Sequence, residues 1–485
     1  MSRPSIRTGE WSREGTMPEI PDDESWAVTE FADAELGDAR RTQRLVELAT
    51  VLAQRPSTSL PEACGTPAML KAADRFFDNA AIDPQEILAS HVVATSARVA
   101  AVPVVLAVQD TTELDWTAHP ATRGLGPLAH PAHQGMLVQT TLALTPARRP
   151  LGLLAQQVWA RDPAGIGTRA TRKRRPLAEK ESPKWLTSVD AVIEIHTRCP
   201  QTRFVCIGDR EADVYDLLVQ ERPSGVDLLV RASWNRRVDH AERYLWTKVA
   251  AQPVAATLTV RVPRRGLQPP RPATVCVRWC LVLLCPPTHR TAEKLPTVAV
   301  WAVQALEEQP PAGCEPLEWL LLTTYGVHTP QDAVERVDWY ACRWGIEVLH
   351  KVLKSGCRLE ARQLERAAQL WRCLAVYSVI AWRILYATML SRAMPEAPCT
   401  ALLAPEEWQA LYCAIHVTST PPAEPPTLRA AVHWIGRLGG FLARRGDGEP
   451  GVTVLWKGFQ HLTDLTFMYR IMRPPPPKRQ NVGNA

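Results

Sequence analysis

The chain has 485 residues, 46% of them hydrophobic and 22% charged, with a formal net charge of +6. That length allows two to four domains with a sizeable core. The charge excess is too small to indicate a nucleic-acid partner by itself, so the placement of the basic residues has to carry that question.

Residues 1 to about 20 are polar and without periodicity, which reads as a disordered leader with no signal peptide. From 21 to 92 the pattern is helical. "DARRTQRLVELATVLAQ" puts Leu45, Leu48, Ala49 and Leu52 on one face with Arg40 and Arg44 on the flank, Pro56 ends that helix, and "PAMLKAADRFFD" begins another that carries Arg75. An all-helical basic module is a candidate DNA reader, with a helical cap on the next domain as the alternative.

From 93 to 232 strands and helices alternate as in an α/β sheet. Val102–Val108 is a continuous apolar run, the pattern of a strand buried on both faces, and it stops at Gln109-Asp110-Thr111-Thr112. "MLVQTTLALT", starting at Met136, and "PLGLLAQQVWAR" read as a strand hairpin. A basic loop follows (Arg169, Arg172, Lys173, Arg174, Arg175), then a helix in "KWLTSVDAVIEIHTRCP". Arg203–Gly208 is a second short strand that ends in Asp209, with a helical segment from Val214 to Gln220. Ligands of open α/β sheets bind outside the carboxyl ends of the strands, where both aspartates are expected.

Residues 233 to 316 alternate or run in β-branched residues between Pro-rich turns, an antiparallel insertion carrying Arg261, Arg264 and Arg265. Its Cys276, Cys280 and Cys285 are spaced poorly for zinc; with no CxxC among twelve cysteines, they read as small apolar residues in a reducing compartment. Residues 317 to 395 resume the core with the strand "LEWLLLTT". The segment Tyr340-Ala-Cys-Arg343-Trp344-Gly-Ile-Glu347-Val-Leu-His350-Lys351-Val-Leu-Lys354 follows. On one continuous helix Tyr340, Arg343, Trp344, Glu347, Lys351 and Lys354 would share about a third of the circumference. Leu374–Leu390, broken by Arg383, reads as a core helix rather than a membrane span. Residues 396 to 485 are helical again; Lys478 and Arg479 at the tail read as solvated surface.

A lone strand-end aspartate is usually a cap or turn residue, and a polar helix face is usually solvated. Two such aspartates plus Glu347 on a helix supply the minimum for a pair of hard cations, and the neighbouring cations suit a phosphate backbone. The fold class is therefore α/β, with a core interrupted by an antiparallel β insertion and flanked by helical domains.

The spacing Tyr-x2-Arg-x3-Glu-x6-Lys at 340–354, "QDTT" at 109–112 and "GDREADVYD" at 208–216 resemble insertion-sequence transposases of the DDE class. More narrowly, the chain is similar to the YREK-signature ("IS-four") family and its Tn-five-type cut-and-paste transposases. "ELGDARRTQRL" (35–45), "KAADRFFDN" (71–79), "EKESPKW" (179–185), "LEWLLLTT" (317–324) and "IGRLGGFLARRGDGEPGVTVLWKGFQHLTDL" (435–465) continue the likeness in chain order.

The resemblance implies an RNase H-like catalytic core and two Mg²⁺ ions, for which Mn²⁺ could substitute. Asp110, Asp209 and Glu347 would be catalytic metal ligands, with Asp110 bridging both ions. Tyr340, Arg343 and Lys354 would contact DNA phosphates. Trp319 would stack on a flipped base, Arg231 would be a further DNA contact, and Arg40, Arg44 and Arg75 would read the transposon end. Asp74, beside Arg75, departs from the family's usual aromatic and puts end affinity in doubt.

The expected activity is excision through a hairpin intermediate and joining of the 3′ ends to target DNA. A homodimer would act on double-stranded DNA (inverted-repeat ends and target), in the cytoplasm or on the nucleoid, with no membrane. "AAVHWIGRLGGFLAR" would supply the dimer face through Val432, Ile435, Leu438 and Leu442, with Gly436, Gly439 and Gly440 allowing close approach. Two readings stay open: a catalytically vestigial DNA-binding regulator or inhibitor of transposition, and a metal-dependent nuclease with the same core.

Overall fold

The structure is a computed structural model that describes residues 23–130, 132–163, 182–262, 271–444 and 447–472. The leader, the basic loop 169–175, Arg264, Arg265, Lys478 and Arg479 lie outside the described residues.

Five helices open the chain: α1 (Asp23–Phe31), α2 (Ala39–Gln54), α3 (Leu60–Cys64), α4 (Pro67–Asp78) and α5 (Pro84–Ala100). Asp38 caps α2 by accepting the Arg40 N–H, and Thr66 caps α4 by accepting that of Met69, each relieving an orphan donor. The buried face of α2 is Leu45, Leu48, Ala49 and Leu52, the face its apolar spacing predicts.

A buried polar cluster helps to join these helices to the core. Glu30 of α1 accepts from Arg98 of α5 (2.7 Å) and from His91 Nδ1 (2.5 Å), while the Leu153 N–H donates to His91 Nε2 (2.9 Å). A ring nitrogen that accepts a backbone N–H carries no proton, so His91 is neutral with its hydrogen on Nδ1. Burial pushes its pKa below the ordinary value accordingly. Burial also tends to raise the Glu30 carboxyl, and His91 and Arg98 more than offset that, holding it at about 2.

The core sheet is built from β1 (Val104–Asp115), β2 (Gly126–Pro127), β3 (Gln134–Leu144), β4 (Pro150–Trp159), β5 (Arg203–Gly208), β6 (Val226–Arg231), β7 (Ala256–Val262), β8 (Arg271–Leu284), β9 (Val298–Leu306) and β10 (Glu318–Thr323). Ten strands form one sheet in the order β2-β3-β1-β5-β6-β10-β9-β8-β7, with β4 also on β3. β1, β5 and β6 are parallel and the remaining pairs antiparallel. The inserted strands β7–β9 are not a separate layer: β10 pairs with β6 on one side and β9 on the other, so they extend the core sheet.

Alternation along the strands sends side chains to two cores. Leu106, Val108, Val205, Ile207 and Leu229 pack in one core with the long helix over Ala367–Ala393 and the flanking helices. Val105, Ala107, Phe204, Cys206 and Leu228 pack in the other, against Trp185 and Val189 of α6 (Pro183–Arg198) and Leu217 of α7 (Tyr215–Val219). A short α8 (Leu245–Ala250) covers the insertion.

After β10 come α9 (Pro330–Ala341), α10 (Trp344–Lys351), α11 (Ala367–Ala393), α12 (Pro405–His416), α13 (Leu428–Leu438) and α14 (Val452–Met472). α11 is long and apolar enough to cross a membrane, but 89% of its most apolar 18-residue window is buried inside the protein, and Arg383 lies over the Trp26 ring. It is the core helix its sequence suggests.

The expected dimer stripe is divided: Val432 and Ile435 pack within the chain, Leu438 is half-buried, and Leu442, beyond the end of α13, is exposed. Val432 and Ile435 are buried, and a Cβ on Gly439 would fall 1.8 Å from the Val454 carbonyl oxygen of α14. Gly458 meets the Ile435 carbonyl in the same way (1.9 Å), so two glycines let α13 and α14 touch backbone to backbone. A group of exposed apolar side chains lies at the end of α14: Phe467, Met468, Ile471 and Met472.

The Glu30 cluster fixes a pH dependence. An unfolded glutamate keeps its ordinary value of 4.5 and an unfolded histidine 6.5, whereas both are lower in the fold. The unfolded chain thus binds more protons in acid, and stability falls with pH, first below about 6.5 and further from about 4.5 towards 2. Glu30→Gln should cost ~2–3 kcal/mol at pH 7 and remove the second decline, as read by thermal melts across pH.

Candidate active site

β1 and β5 pair in parallel register only as far as Val108 opposite Ile207. β1 then continues to Asp115 against β3 alone. Asp110 is therefore inside a strand rather than at its end, a correction to the sequence reading. The β-branched Thr111 and Thr112 carry the ladder with β3 onward after β5 has turned away. On the β5 side, Asp110 still lies two residues past the last parallel pair, where the sheet splits.

β5 leaves that split through Gly208, where a Cβ would fall 2.4 Å from the Cβ of Ala212. Asp209 then caps the 3₁₀ turn Arg210–Ala212, its Oδ1 accepting the Glu211 N–H at 2.8 Å. The capping role and the site position belong to the same residue.

Glu347 lies on α10, but the signature segment is not one helix. α9 ends at Ala341, and Cys342 and Arg343 bond back to Trp339 and Tyr340 in i→i+3 fashion (both 3.0 Å) before α10 begins. Both residues keep right-handed helical backbone angles through this tightened turn, and Tyr340 and Glu347 both act electrostatically on Arg343. Gly345 allows α10 to seat on β3: a Cβ there would be 2.9 Å from Leu144 Cδ1. α10 closes in a π-helical turn, Val352–Gly356, which holds Lys354.

These elements bring Asp110, Asp209 and Glu347 into one electrostatic cluster around Arg343. Arg343 Nη1 is 3.7 Å from Asp110 Oδ2, and its Nη2 donates to Glu347 Oε1. Burial pushes the Asp110 carboxyl up to about 6; Arg343 opposes the shift, and the like charges of Asp209 and Glu347 add to it. His350, which sequence reasoning passed over, is buried with Nδ1 4.0 Å from Asp110 Oδ2. Burial pushes it down to about 3, with Lys354 and Arg343 adding, so it stands neutral. Its signal in the sequence was the i+3 position from Glu347.

The expected DNA contacts divide into two groups at the site and one away from it. Tyr340 is buried, its hydroxyl hydrogen-bonded with Arg231 and its pKa raised by that burial. Trp319 is half-buried, edge-on to the Tyr340 ring at 5.4 Å between centroids. Arg231 also donates to the Glu318 carbonyl (2.8 Å). Lys354 is on another side of the carboxylates, 3.7 Å from Glu360.

Arg40, Arg44 and Arg75 are not drawn into this cluster and stand on α2 and α4. Arg40 pairs with Asp38 and Arg44 with Glu47 (3.1 and 2.6 Å). Arg75 and Asp74 are exposed, and Arg75 has no ion pair among the described residues.

Among the described residues, no three His, Cys, Asp or Glu side chains stand close enough together to form a ready-made metal site. The physical reason is Arg343, whose guanidinium pairs with Asp110 and Glu347. The donor set itself suits a hard divalent cation: three carboxylates on rigid elements whose mutual repulsion raises Asp110.

A carboxylate forced up to about 6 from 3.8 destabilises the fold at neutral pH. Asp110→Asn should accordingly raise thermal stability in EDTA at pH 7.5 by ~1–3 kcal/mol. Asp209→Asn should change stability little, because asparagine keeps an oxygen that accepts the Glu211 N–H.

Two family models match the chain. Transposase DNA-binding covers residues 23–82, and Transposase Tn5 dimerisation domain covers residues 379–473. The first spans α1–α4; the second takes in the later part of α11 and α12–α14, including the exposed end of α14. Between them lies a mixed α/β sheet consistent with an RNase H-like core. The chain thus carries one segment that matches a transposase DNA-binding model and another, towards its other end, that matches a Tn5 transposase dimerisation model.

Proposed function

We propose that the protein is a DDE transposase that excises a DNA segment at its inverted-repeat ends and joins the 3′ ends to target DNA. The observation that carries this reading is the gathering of Asp110, Asp209 and Glu347, from β1, the end of β5 and α10, around Arg343. It sits between a DNA-binding module and a dimerisation module.

Asp110, Asp209 and Glu347 would hold two Mg²⁺ ions, or Mn²⁺ in their place, with Asp110 shared. Such ions neutralise charge on the attacking and leaving oxygens of a phosphodiester. In this reading water attacks at the end, and the freed 3′-OH attacks the opposite strand to give a hairpin. After hairpin hydrolysis the same 3′-OH attacks target DNA, each step exchanging one P–O bond for another. Arg343 releases its carboxylates and takes a phosphate with its forked donors. Tyr340 and Arg231 bind a second phosphate, and Lys354 supplies a point charge. Neutral His350 keeps a donor or acceptor beside Asp110 without adding charge.

Arg40, Arg44 and Arg75 read the ends, mostly through phosphate contacts that set register. The exposed Phe467, Met468, Ile471 and Met472 of α14 supply the homodimer face in place of the α13 stripe. The protein works in the cytoplasm, on the nucleoid.

Asp110→Asn, Asp209→Asn and Glu347→Gln should each abolish Mg²⁺-dependent strand cleavage and leave end binding within a few-fold. Cleavage near the parent rate by any of them would remove that residue from the set. The pairing of Arg343 with Glu347 and Asp110 also favours a second reading, a DNA-binding regulator with no catalysis. Specific end binding with no cleavage in Mg²⁺ or Mn²⁺ by the parent would establish that alternative.

Trp319 stacks on a base extruded in the hairpin step. Trp319→Ala should spare the first nick and slow hairpin formation by about 5- to 150-fold, the loss of ~1–3 kcal/mol of stacking. Equal slowing of both steps with a lowered melting temperature would assign Trp319 to packing against Tyr340 alone.

A further inference from the structure

The turn that follows β6 has features the carboxylate site does not use. Trp234 in the turn, Tyr244 at the N-cap of α8 and Trp246 in its first turn are 63%, 46% and 48% exposed. Scattered surface aromatics need no explanation, but three on one short segment form a patch.

The segment is held rigidly. Asp213, with a fully buried side chain, accepts the N–H groups of Ser233 (2.7 Å) and Trp234 (3.0 Å) on Oδ2. Its Oδ1 takes Arg236 Nε at 3.0 Å, and Arg236 also donates to the Asp213 carbonyl at 2.7 Å. The Trp246 N–H donates to Asn235 Oδ1 (3.0 Å), and Arg237 bridges Tyr244 in antiparallel fashion. Val238 is tied in turn to Leu284 of β8.

The charge on its open side is positive. Arg237 and Arg243 are exposed and make no ion pair among the described residues. Glu242 is taken up by His240 and Lys248, which leaves Asp239 as the exposed acid. The segment follows Arg231 at the carboxyl end of β6 and runs from there to β8, where Val238 bridges Leu284.

We infer that Trp234, Tyr244 and Trp246 form a stacking ledge for unpaired bases of a bound DNA strand, an inference that rests on the DNA-transposase reading. Flat rings with flanking arginines match a ligand with π faces and a polyanionic backbone, and such stacking is tolerant of sequence. Asp213, in the "GDREADVYD" motif, acts as a positioning residue by fixing the backbone of Ser233 and Trp234.

Because stacking is sequence-tolerant, the probe does not require the natural end. A random-sequence duplex is compared with the same duplex bearing a five-thymidine tail that contains one 2-aminopurine, in EDTA. The parent should prefer the tailed probe and quench its fluorescence. The double variant Trp234→Ala/Trp246→Ala should lose about 5- to 150-fold on the tailed probe, keep its duplex affinity within twofold, and melt as the parent does. The double phenylalanine variant should recover most of the preference.

Equal tail preference in parent and alanine variant would overturn the ledge, as would equal weakening on both probes or a parent without preference. A tail preference lost with the tryptophans, in a parent that cannot cleave DNA in Mg²⁺, would keep the ledge and remove the transposase reading.

Discussion

Three carboxylates that repel one another, set in a partly buried site, are the constraint around which the rest of this protein is arranged. Water would relieve such repulsion, but Asp110 is carried by a strand whose neighbours are covered on both faces. Arg343 and, after it, the Thr111 backbone N–H oppose the shift without cancelling it, so Asp110 stays at about 6. A fold organised for stability alone would place amides or apolar groups there. The surrounding architecture is best understood as rigid support that keeps this unfavourable arrangement from relaxing.

That support has three parts. The parallel trio β1, β5 and β6 fixes the two aspartates and Arg231 at one end of the sheet. α10 reaches the same point because Gly345 lets it rest on Leu144 of β3. The Glu30–His91–Arg98 cluster locks the amino-terminal helices to α5 and β4. A DNA end held by α2 and α4 would therefore be presented to the carboxylates by a body with little freedom to swing.

Much of this was legible in the sequence because periodicity reports burial directly. The α2 face, the buried run of β1, the β3–β4 hairpin and the core character of α11 all follow from apolar spacing. What was not legible depended on close contacts between distant segments. The break between α9 and α10 comes from i→i+3 bonds at Cys342 and Arg343, residues whose helical spacing looks unbroken on paper. The glycines at 436–440 signalled close approach correctly, but only the structure shows that the approaching backbone is α14 of the same chain. Arg343 read as a phosphate ligand, and its ion pairs with Asp110 and Glu347 needed three dimensions to appear. His350 was hidden because a histidine on a helix is ordinary until its neighbour across the sheet is known.

The shared pairing of β10 limits how far the molecule could be trimmed. Because β10 takes its hydrogen bonds from β6 on one side and from the inserted β9 on the other, the insertion is structural as well as accessory. Excising it would leave β10 as an open edge of apolar residues, Leu320, Leu321 and Leu322, next to Trp319 and Arg231. Naked edges of that kind recruit other strands and aggregate. Miniaturised forms of this protein would need a replacement edge strand or a charged β10, and natural relatives with shorter insertions should have solved the same problem by one of those routes.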